Sequence, residues 1–258
     1  MESELIWAPI VVAAYFALPT FLVYSTQVFR ADGIGELIAE EKKVPRSVRE
    51  PMSSIRAVLK ELGFESRGVL VVSGISANAA ALAEVLVNPQ SKDMALVAFA
   101  YGYLNGMVTD QVRYVEFIRY FRDGDAALLQ TSNNGRPGAF VDDPNHRIFR
   151  LPSVQSLPAL FDCHLQLLDL YATGLQSFVR LDEEFGGDPA VFVDQITREC
   201  LERQTTMGLM KYDQTRNLWQ PTLWGAFRLS AQELPPFKQL RAMRLISRGK
   251  RILGELRR

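Results

Sequence analysis

The stretch Leu5–Phe29, LIWAPIVVAAYFALPTFLVYSTQVF, is 25 residues long and contains no charged side chain. As a helix rising ~1.5 Å per residue it would extend ~37 Å, enough to cross the ~30 Å hydrocarbon core of a bilayer. Trp7 and Tyr24 stand near its two ends, where aromatic side chains favour the membrane–water interfaces. We therefore predict a transmembrane helix within residues 1–30. A cleavable signal peptide and a buried helix of a soluble domain are the alternatives.

The charges that flank this stretch predict its orientation. Residues 1–4 contain two glutamates and no basic side chain, whereas residues 30–49 contain five Lys or Arg residues. Basic residues close to a membrane span stay on the cytoplasmic side. We expect a single-pass protein of the inner or plasma membrane, with its N-terminus outside and the rest of the chain in the cytoplasm, and the lipid bilayer as its first partner.

The composition indicates a folded domain after the anchor. Hydrophobic residues make up 48% and charged residues 22% of the 258 residues, and the formal net charge is zero. A balanced charge argues against binding to nucleic acid. The two cysteines and two histidines form no CxxC pair and no metal-ligand spacing. We therefore predict no cofactor and no metal site.

The order of sequence patterns indicates an α+β chain in four parts. These are a membrane anchor at 1–30, a membrane-proximal helical linker at 31–65, a soluble α+β domain at 66–236, and a basic amphipathic helix at 237–258. Within the linker, the apolar spacing predicts a short helix over Asp32–Glu41 and a second helix that opens at Pro51 and ends near Gly63.

The domain begins with a predicted antiparallel β-meander of five strands between residues 67 and 132. Residues 79–87 fit a helix or a strand, and we assign them to a strand. The apolar run Met94–Val108 predicts one long, bent strand, with a second membrane segment as the alternative. Val112–Phe121 is rich in β-branched and aromatic residues and precedes the turn Arg122–Asp125, which predicts a hairpin.

Helical spacing returns after the meander. One helix is predicted from Leu157, and another follows Asp188, which is a suitable N-cap residue before Pro189 at the first helical position. Residues Arg216–Leu229 predict a second β-hairpin with a large aromatic face. A final amphipathic helix is predicted over Phe237–Leu256.

The basic tail is the first candidate interaction site. Residues 238–258 contain eight basic residues and one acidic residue, a net charge of +7. A cationic helix with an apolar stripe binds anionic membrane surfaces. The candidate surface for anionic lipid head groups or a partner protein is formed by Arg241, Arg244, Arg248, Lys250 and Arg251. The alternative is a helix that packs on the domain with its charged face in water.

The loop at residues 131–138 is the second candidate site, because Asn133, Asn134 and Arg136 offer amide groups and one cation to an anionic ligand. The alternative is an ordinary turn. Two further residues are given structural roles. His164 is expected in the core. Glu116 is expected to face water or to pair with Arg113 or Arg119, and the alternative is a buried acid with a raised pKa.

These patterns favour an accessory, assembly or scaffold subunit of a membrane protein complex, whose partners are membrane-complex subunits and anionic lipids. A membrane-tethered enzyme and a small-ligand or lipid-binding domain are the alternatives. No paired acid–base residues stand at a spacing typical of catalysis, so the sequence does not favour an enzyme.

Overall fold

The computed structural model describes residues 15–30, 35–38, 44–76, 79–104, 107–136 and 140–256, and these form an α+β fold. The helices are α1 (15–26), α2 (Arg46–Glu61), α3 (Leu157–Tyr171), α4 (Arg180–Phe185), α5 (Pro189–Thr206), α6 (Leu223–Glu233) and α7 (Phe237–Leu256). The strands are β1 (Phe29–Arg30), β2 (Gly35–Leu37), β3 (Glu65–Ser76), β4 (Ala79–Asn88), β5 (Asp93–Leu104), β6 (Met107–Phe121), β7 (Leu128–Ser132), β8 (His146–Arg150), β9 (Ser177–Phe178), β10 (Met210–Asp213) and β11 (Leu218–Pro221).

The main sheet has the strand order β2-β3-β4-β5-β6-β7-β8, and β9 pairs with β6. Neighbouring strands are antiparallel except β7 and β8, which are parallel, so the sheet is mixed. Strands β3 to β7 account for the five strands predicted between residues 67 and 132, but the third one was placed wrongly. The chain reverses between Leu104 and Met107, which pair with each other, so the run Met94–Val108 is not a single strand.

Both faces of the main sheet are covered, which explains why its strands are apolar on both sides. On one face, α2 and α3 pack on an aromatic cluster in which the ring centroids of Phe64, Phe117 and Phe161 lie 5.0–5.5 Å apart. On the other face, α4 and α5 cover a second cluster that contains Ile118, Tyr120 and Phe192. A separate three-stranded sheet has the order β1-β11-β10.

The predicted membrane anchor is wrong. Among the residues that the structure describes, no helix combines the length and apolar character needed to cross a membrane. Of the predicted span, residues 5–14 lie outside the described part of the chain, and α1 accounts for 15–26. Phe29 already belongs to β1, where it pairs with Trp219 of β11. The single-pass topology and the membrane location were inferred from this anchor, so these two predictions are wrong as well.

Two assignments in the predicted linker also change. Residues Gly35–Leu37, expected in a helix, form β2 and pair with Leu70–Val72 of β3. Helix α2 begins at Arg46 rather than at Pro51, so the proline lies inside the helix. The proline removes one backbone hydrogen bond, but the side chains of Val48 and Met52 are buried on one face of the helix and stabilise its first turns.

The predicted second hairpin is replaced by a strand and a helix. Residues 218–221 form β11, but Leu223–Glu233 form α6. Thr222 caps this helix, because its hydroxyl accepts a hydrogen bond from the backbone N–H of Gly225 (3.0 Å). Helices α3, α5 and α7 confirm the three later helix predictions, and Asp188 caps α5 by accepting from the N–H groups of Ala190 and Val191.

Candidate functional site: an apolar face on three helices

Helix α1 lies antiparallel to α6, and three contacts fix the pair. The Tyr15 hydroxyl donates to the carbonyl of Pro235 (2.9 Å), after the end of α6. At the centre, the hydroxyls of Thr20 and Ser230 share a buried hydrogen bond of 2.9 Å. The ring of Phe16 also contacts Phe227, with centroids 6.2 Å apart. The contacts show that α1 is held against its own chain.

Helix α7 follows α6 and is divided into two unlike halves. In its C-terminal half, Ile252 is buried, and Leu253 and Leu256 pack against the main core. In its N-terminal half, Leu240 and Met243 are 46% and 66% exposed. The apolar stripe predicted along this helix therefore packs on the domain at one end only.

Helices α1, α6 and α7 together expose ten large apolar side chains, which we call the apolar face. Each is between 38% and 66% exposed. They are Leu18, Phe21 and Leu22 on α1, Leu223, Trp224 and Phe227 on α6, and Phe237, Leu240, Met243 and Ile246 on α7. Single exposed apolar residues are ordinary, but a concentration of them on adjoining elements marks an interaction surface.

Basic residues accompany the apolar face along α7. Of the five predicted binding residues, Arg244, Arg248, Lys250 and Arg251 are exposed, and Arg241 is partly buried. Partial burial and the nearby Arg228 lower the pKa of Arg241. Four of the predicted cations are thus available to an anionic surface beside the apolar side chains.

Trp7 and Tyr24 were predicted to lie at the two membrane–water interfaces. Trp7 lies outside the described residues. Tyr24 is partly exposed near the end of α1, where the Lys211 ammonium lies 5.7 Å from the centre of its ring. This distance is within the range of a cation–π interaction.

The predicted ligand loop uses its polar groups internally. The Asn133 side chain accepts from the N–H of Val115 (2.8 Å), and the Asn134 side chain accepts from the N–H of Arg136 (2.8 Å). The Arg136 side chain is exposed. These bonds join the loop to β6 and close a local turn, which is the role expected of asparagine in turns. The structure thus brings these three residues together, but it does not show a site built from them.

A buried polar network lies between the main sheet and α3. Arg119 donates two hydrogen bonds of 2.7 Å to the carboxylate of Asp93, and His164 Nε2 lies 3.2 Å from the same carboxylate. His164 Nδ1 lies 3.0 Å from the hydroxyl of Thr131. Asp93, Thr131 and His164 are fully buried, so their polar groups are satisfied by one another rather than by water. The prediction that His164 belongs to the core is confirmed.

Burial and hydrogen bonds set the pKa values of this network. Burial lowers the pKa of His164 and keeps the ring neutral. Burial alone would raise the pKa of Asp93, but the hydrogen bonds with His164 and Arg119 outweigh it and hold the pKa below its usual value. A neutral ring satisfies both partners when Nε2–H donates to Asp93 and Nδ1 accepts from Thr131.

A polar cleft lies on the opposite face of the sheet, with a volume of about 220 Å³. Its carboxylates are already paired: Asp142 with Arg150, Asp143 with Arg203, and Glu199 with Arg180. Burial raises the pKa of its thiol, Cys200, which disfavours the nucleophilic thiolate. Among the described residues, no group of three or more His, Cys, Asp and Glu side chains is arranged to hold a metal ion.

Glu116 follows the alternative prediction, a buried acid with a raised pKa, rather than the preferred one of an exposed or arginine-paired side chain. It lies on the sheet face opposite Arg119, beside Ser132 and Gln130 of β7. Burial raises the pKa of Glu116 to about 7, although Arg150 and hydrogen bonds with Ser132 and Gln130 oppose the shift. The group therefore loses its proton close to neutral pH.

This raised pKa predicts that the fold loses stability as the pH rises. Between the unfolded pKa of ~4.3 and the folded value, the folded state binds more protons than the unfolded state, so each rise in pH favours unfolding. We expect the wild-type free energy of unfolding to fall by about 2 kcal/mol relative to that of Glu116→Gln between pH 5 and pH 8. Urea denaturation of both proteins across this range measures the difference, and parallel pH profiles would contradict it.

The sequence did not predict that the apolar side chains of α6 form part of an exposed face. Leu223, Trp224 and Phe227 were assigned to a strand of the second hairpin, with Trp224 and Phe227 on its aromatic face. The signals for a helix were Thr222 as N-cap residue and the small residues Gly225, Ala226 and Ser230, which are the buried positions of α6.

Comparisons of the chain with models of protein families, with curated proteins and with solved structures found no match.

Proposed function

We propose that this α+β protein binds peripherally to anionic membrane surfaces through the apolar face of α1, α6 and α7. The observation that carries the proposal is the concentration of ten exposed, large apolar side chains on three adjoining helices. The proposal needs no membrane-spanning helix. In interfacial binding, a helix lies in the plane of the membrane with its apolar side ~5–10 Å inside the headgroup–acyl boundary.

The type of side chain supports a lipid surface. The face combines Trp224, three phenylalanines and several aliphatic residues, and basic side chains of α7 lie close to it. Interfacial helices typically pair Trp, Phe and Leu on one side with Lys and Arg on the other. Each basic residue near an anionic surface contributes about 1 kcal/mol, so the four exposed residues of the predicted basic surface, Arg244, Arg248, Lys250 and Arg251, favour acidic lipid.

The test measures how much of the protein binds to lipid vesicles of two compositions. We expect binding to vesicles that contain phosphatidylserine, weaker binding to vesicles of phosphatidylcholine alone, and a loss of the difference at high salt, because salt screens exposed charges. No binding to either composition, together with a dimer in light scattering, would assign the face to a second copy of the chain. A monomer that binds neither would favour an accessory-subunit role, with the face covered by an apolar partner protein.

A further inference from the structure

A groove runs between α1 and α6 within the apolar face, with a volume of about 800 Å³. Small-molecule sites typically measure ~300–1,000 Å³. Phe16, Ala17 and Phe21 line it from α1, and Leu223, Trp224 and Phe227 line it from α6. The rings of Trp224 and Phe227 stack with their centroids 5.5 Å apart, so one wall is a continuous aromatic surface.

The groove offers almost no hydrogen bonds to a ligand. The only polar groups among the described lining side chains are the Thr20 hydroxyl and the indole N–H of Trp224. The Thr20 hydroxyl is already bonded to the carbonyl of Phe16 (2.7 Å) and to the hydroxyl of Ser230 (2.9 Å). A polar ligand would lose its hydrogen bonds to water here without replacement, so the interior suits a hydrocarbon chain.

The two ends of the groove differ in charge. At one end, the ring of Phe16 contacts the rings of Phe227 and Phe237. Beyond the other end, Tyr24 follows the lining residue Phe21 by about one helical turn on α1, and the Lys211 ammonium lies over its ring, 5.7 Å from the centroid. The same end holds the N-terminus of α6, whose backbone dipole also favours negative charge. A ligand with one apolar end and one anionic end would therefore bind in one orientation, with its anionic end towards Lys211.

We propose that this groove binds one molecule of free fatty acid, with its alkyl chain between α1 and α6 and its carboxylate at Lys211. The distance along α1 from Phe16 to Tyr24 is ~12 Å at ~1.5 Å per residue, which suits a chain of medium length. The apolar walls exclude water from the chain, and Lys211 selects an anionic head group. This inference goes beyond membrane attachment, because it concerns a single molecule taken from solution.

The experiment uses dodecanoate below its critical micelle concentration, with isothermal titration calorimetry on the full-length protein. We expect one molecule to bind per chain, and we expect dodecyltrimethylammonium, which has the same chain and a cationic head group, to bind about tenfold more weakly. Lys211→Gln removes this preference. Ala17→Trp fills the groove and abolishes binding of both compounds, and Leu223→Trp provides a second obstruction if the first variant is unstable.

The same variants separate this proposal from membrane attachment. Leu240 lies on the apolar face outside the groove. We therefore expect Leu240→Asp to weaken vesicle binding and to leave dodecanoate binding unchanged. Ala17→Trp adds an apolar side chain and retains vesicle binding while it loses dodecanoate. Absence of dodecanoate binding to the wild type, or binding that survives both groove-filling substitutions in folded protein, would overturn the proposal whether or not the protein binds vesicles.

Discussion

We expect the double variant L240D/M243D to bind phosphatidylserine vesicles about 100-fold more weakly than the wild type. Both side chains belong to the exposed N-terminal half of α7. Full burial of one such side chain contributes ~1.5–3 kcal/mol, and a part of each is already covered in the free protein. Two carboxylates at an anionic surface add repulsion. A combined loss of ~2.7 kcal/mol corresponds to a factor of ~100 in the dissociation constant.

The chain offers a matched control for this substitution. Leu170 on α3 and Val191 on α5 are 61% and 50% exposed and lie outside the apolar face. L170D/V191D introduces the same two charges and removes a similar apolar area. We expect its vesicle binding to remain within about twofold of wild type. Equal losses in the two double variants would show that net charge, rather than the apolar face, controls binding.

The second large effect concerns stability. Asp93→Ala leaves the buried ends of Arg119 and His164 without their carboxylate partner. Breaking a buried ion pair by removing one member costs ~3–5 kcal/mol, and we expect this decrease in the free energy of unfolding. Urea denaturation at pH 7 measures it, with Asp93→Asn as a variant that keeps part of the hydrogen bonding and loses less.

Asp142 provides the comparison for Asp93. Its carboxylate also accepts two hydrogen bonds of 2.7 Å from one arginine, Arg150. Its side chain is 47% exposed, whereas that of Asp93 is inaccessible. Exposed pairs contribute ~0–1 kcal/mol because water and salt screen them, so Asp142→Ala should cost about 1 kcal/mol or less. A cost for Asp93→Ala that is no larger would show that the buried network does not stabilise the fold.

Elements whose signals are local were predictable from the sequence. Helix α5 has its N-cap residue and N1 proline side by side, and the hairpin of β6 and β7 has its turn between two apolar strands. The buried network was not predictable, because Asp93 and His164 are 71 positions apart. The position of His164 on an apolar stripe indicated burial, but it did not indicate which carboxylate would pair with the ring.

The errors near the N-terminus and in α6 have one physical cause. A hydrophobic segment is expected to be buried away from water, but its hydrophobicity does not show whether lipid or another part of the protein covers it. The apolar run that suggested a membrane span includes α1, and α1 packs on α6 through Phe16 and Thr20. The aromatic residues of α6 suggested a strand with a large apolar face, but the segment is a helix on which Trp224 is 61% exposed. Partners that are ~210 positions apart in the chain leave no periodic signal in either segment.

Whether the apolar face enters a membrane is measured by the depth of Trp224 in the bilayer. In a Trp7→Phe background the remaining tryptophans are Trp219, which is buried, and Trp224, which is exposed. On binding to vesicles, we predict that Trp224 emission shifts to the blue and is quenched by lipids brominated on their acyl chains, and that adding Trp224→Phe removes both changes. Vesicle-bound protein in which Trp224 emission is neither shifted nor quenched would show that the apolar face does not enter the membrane.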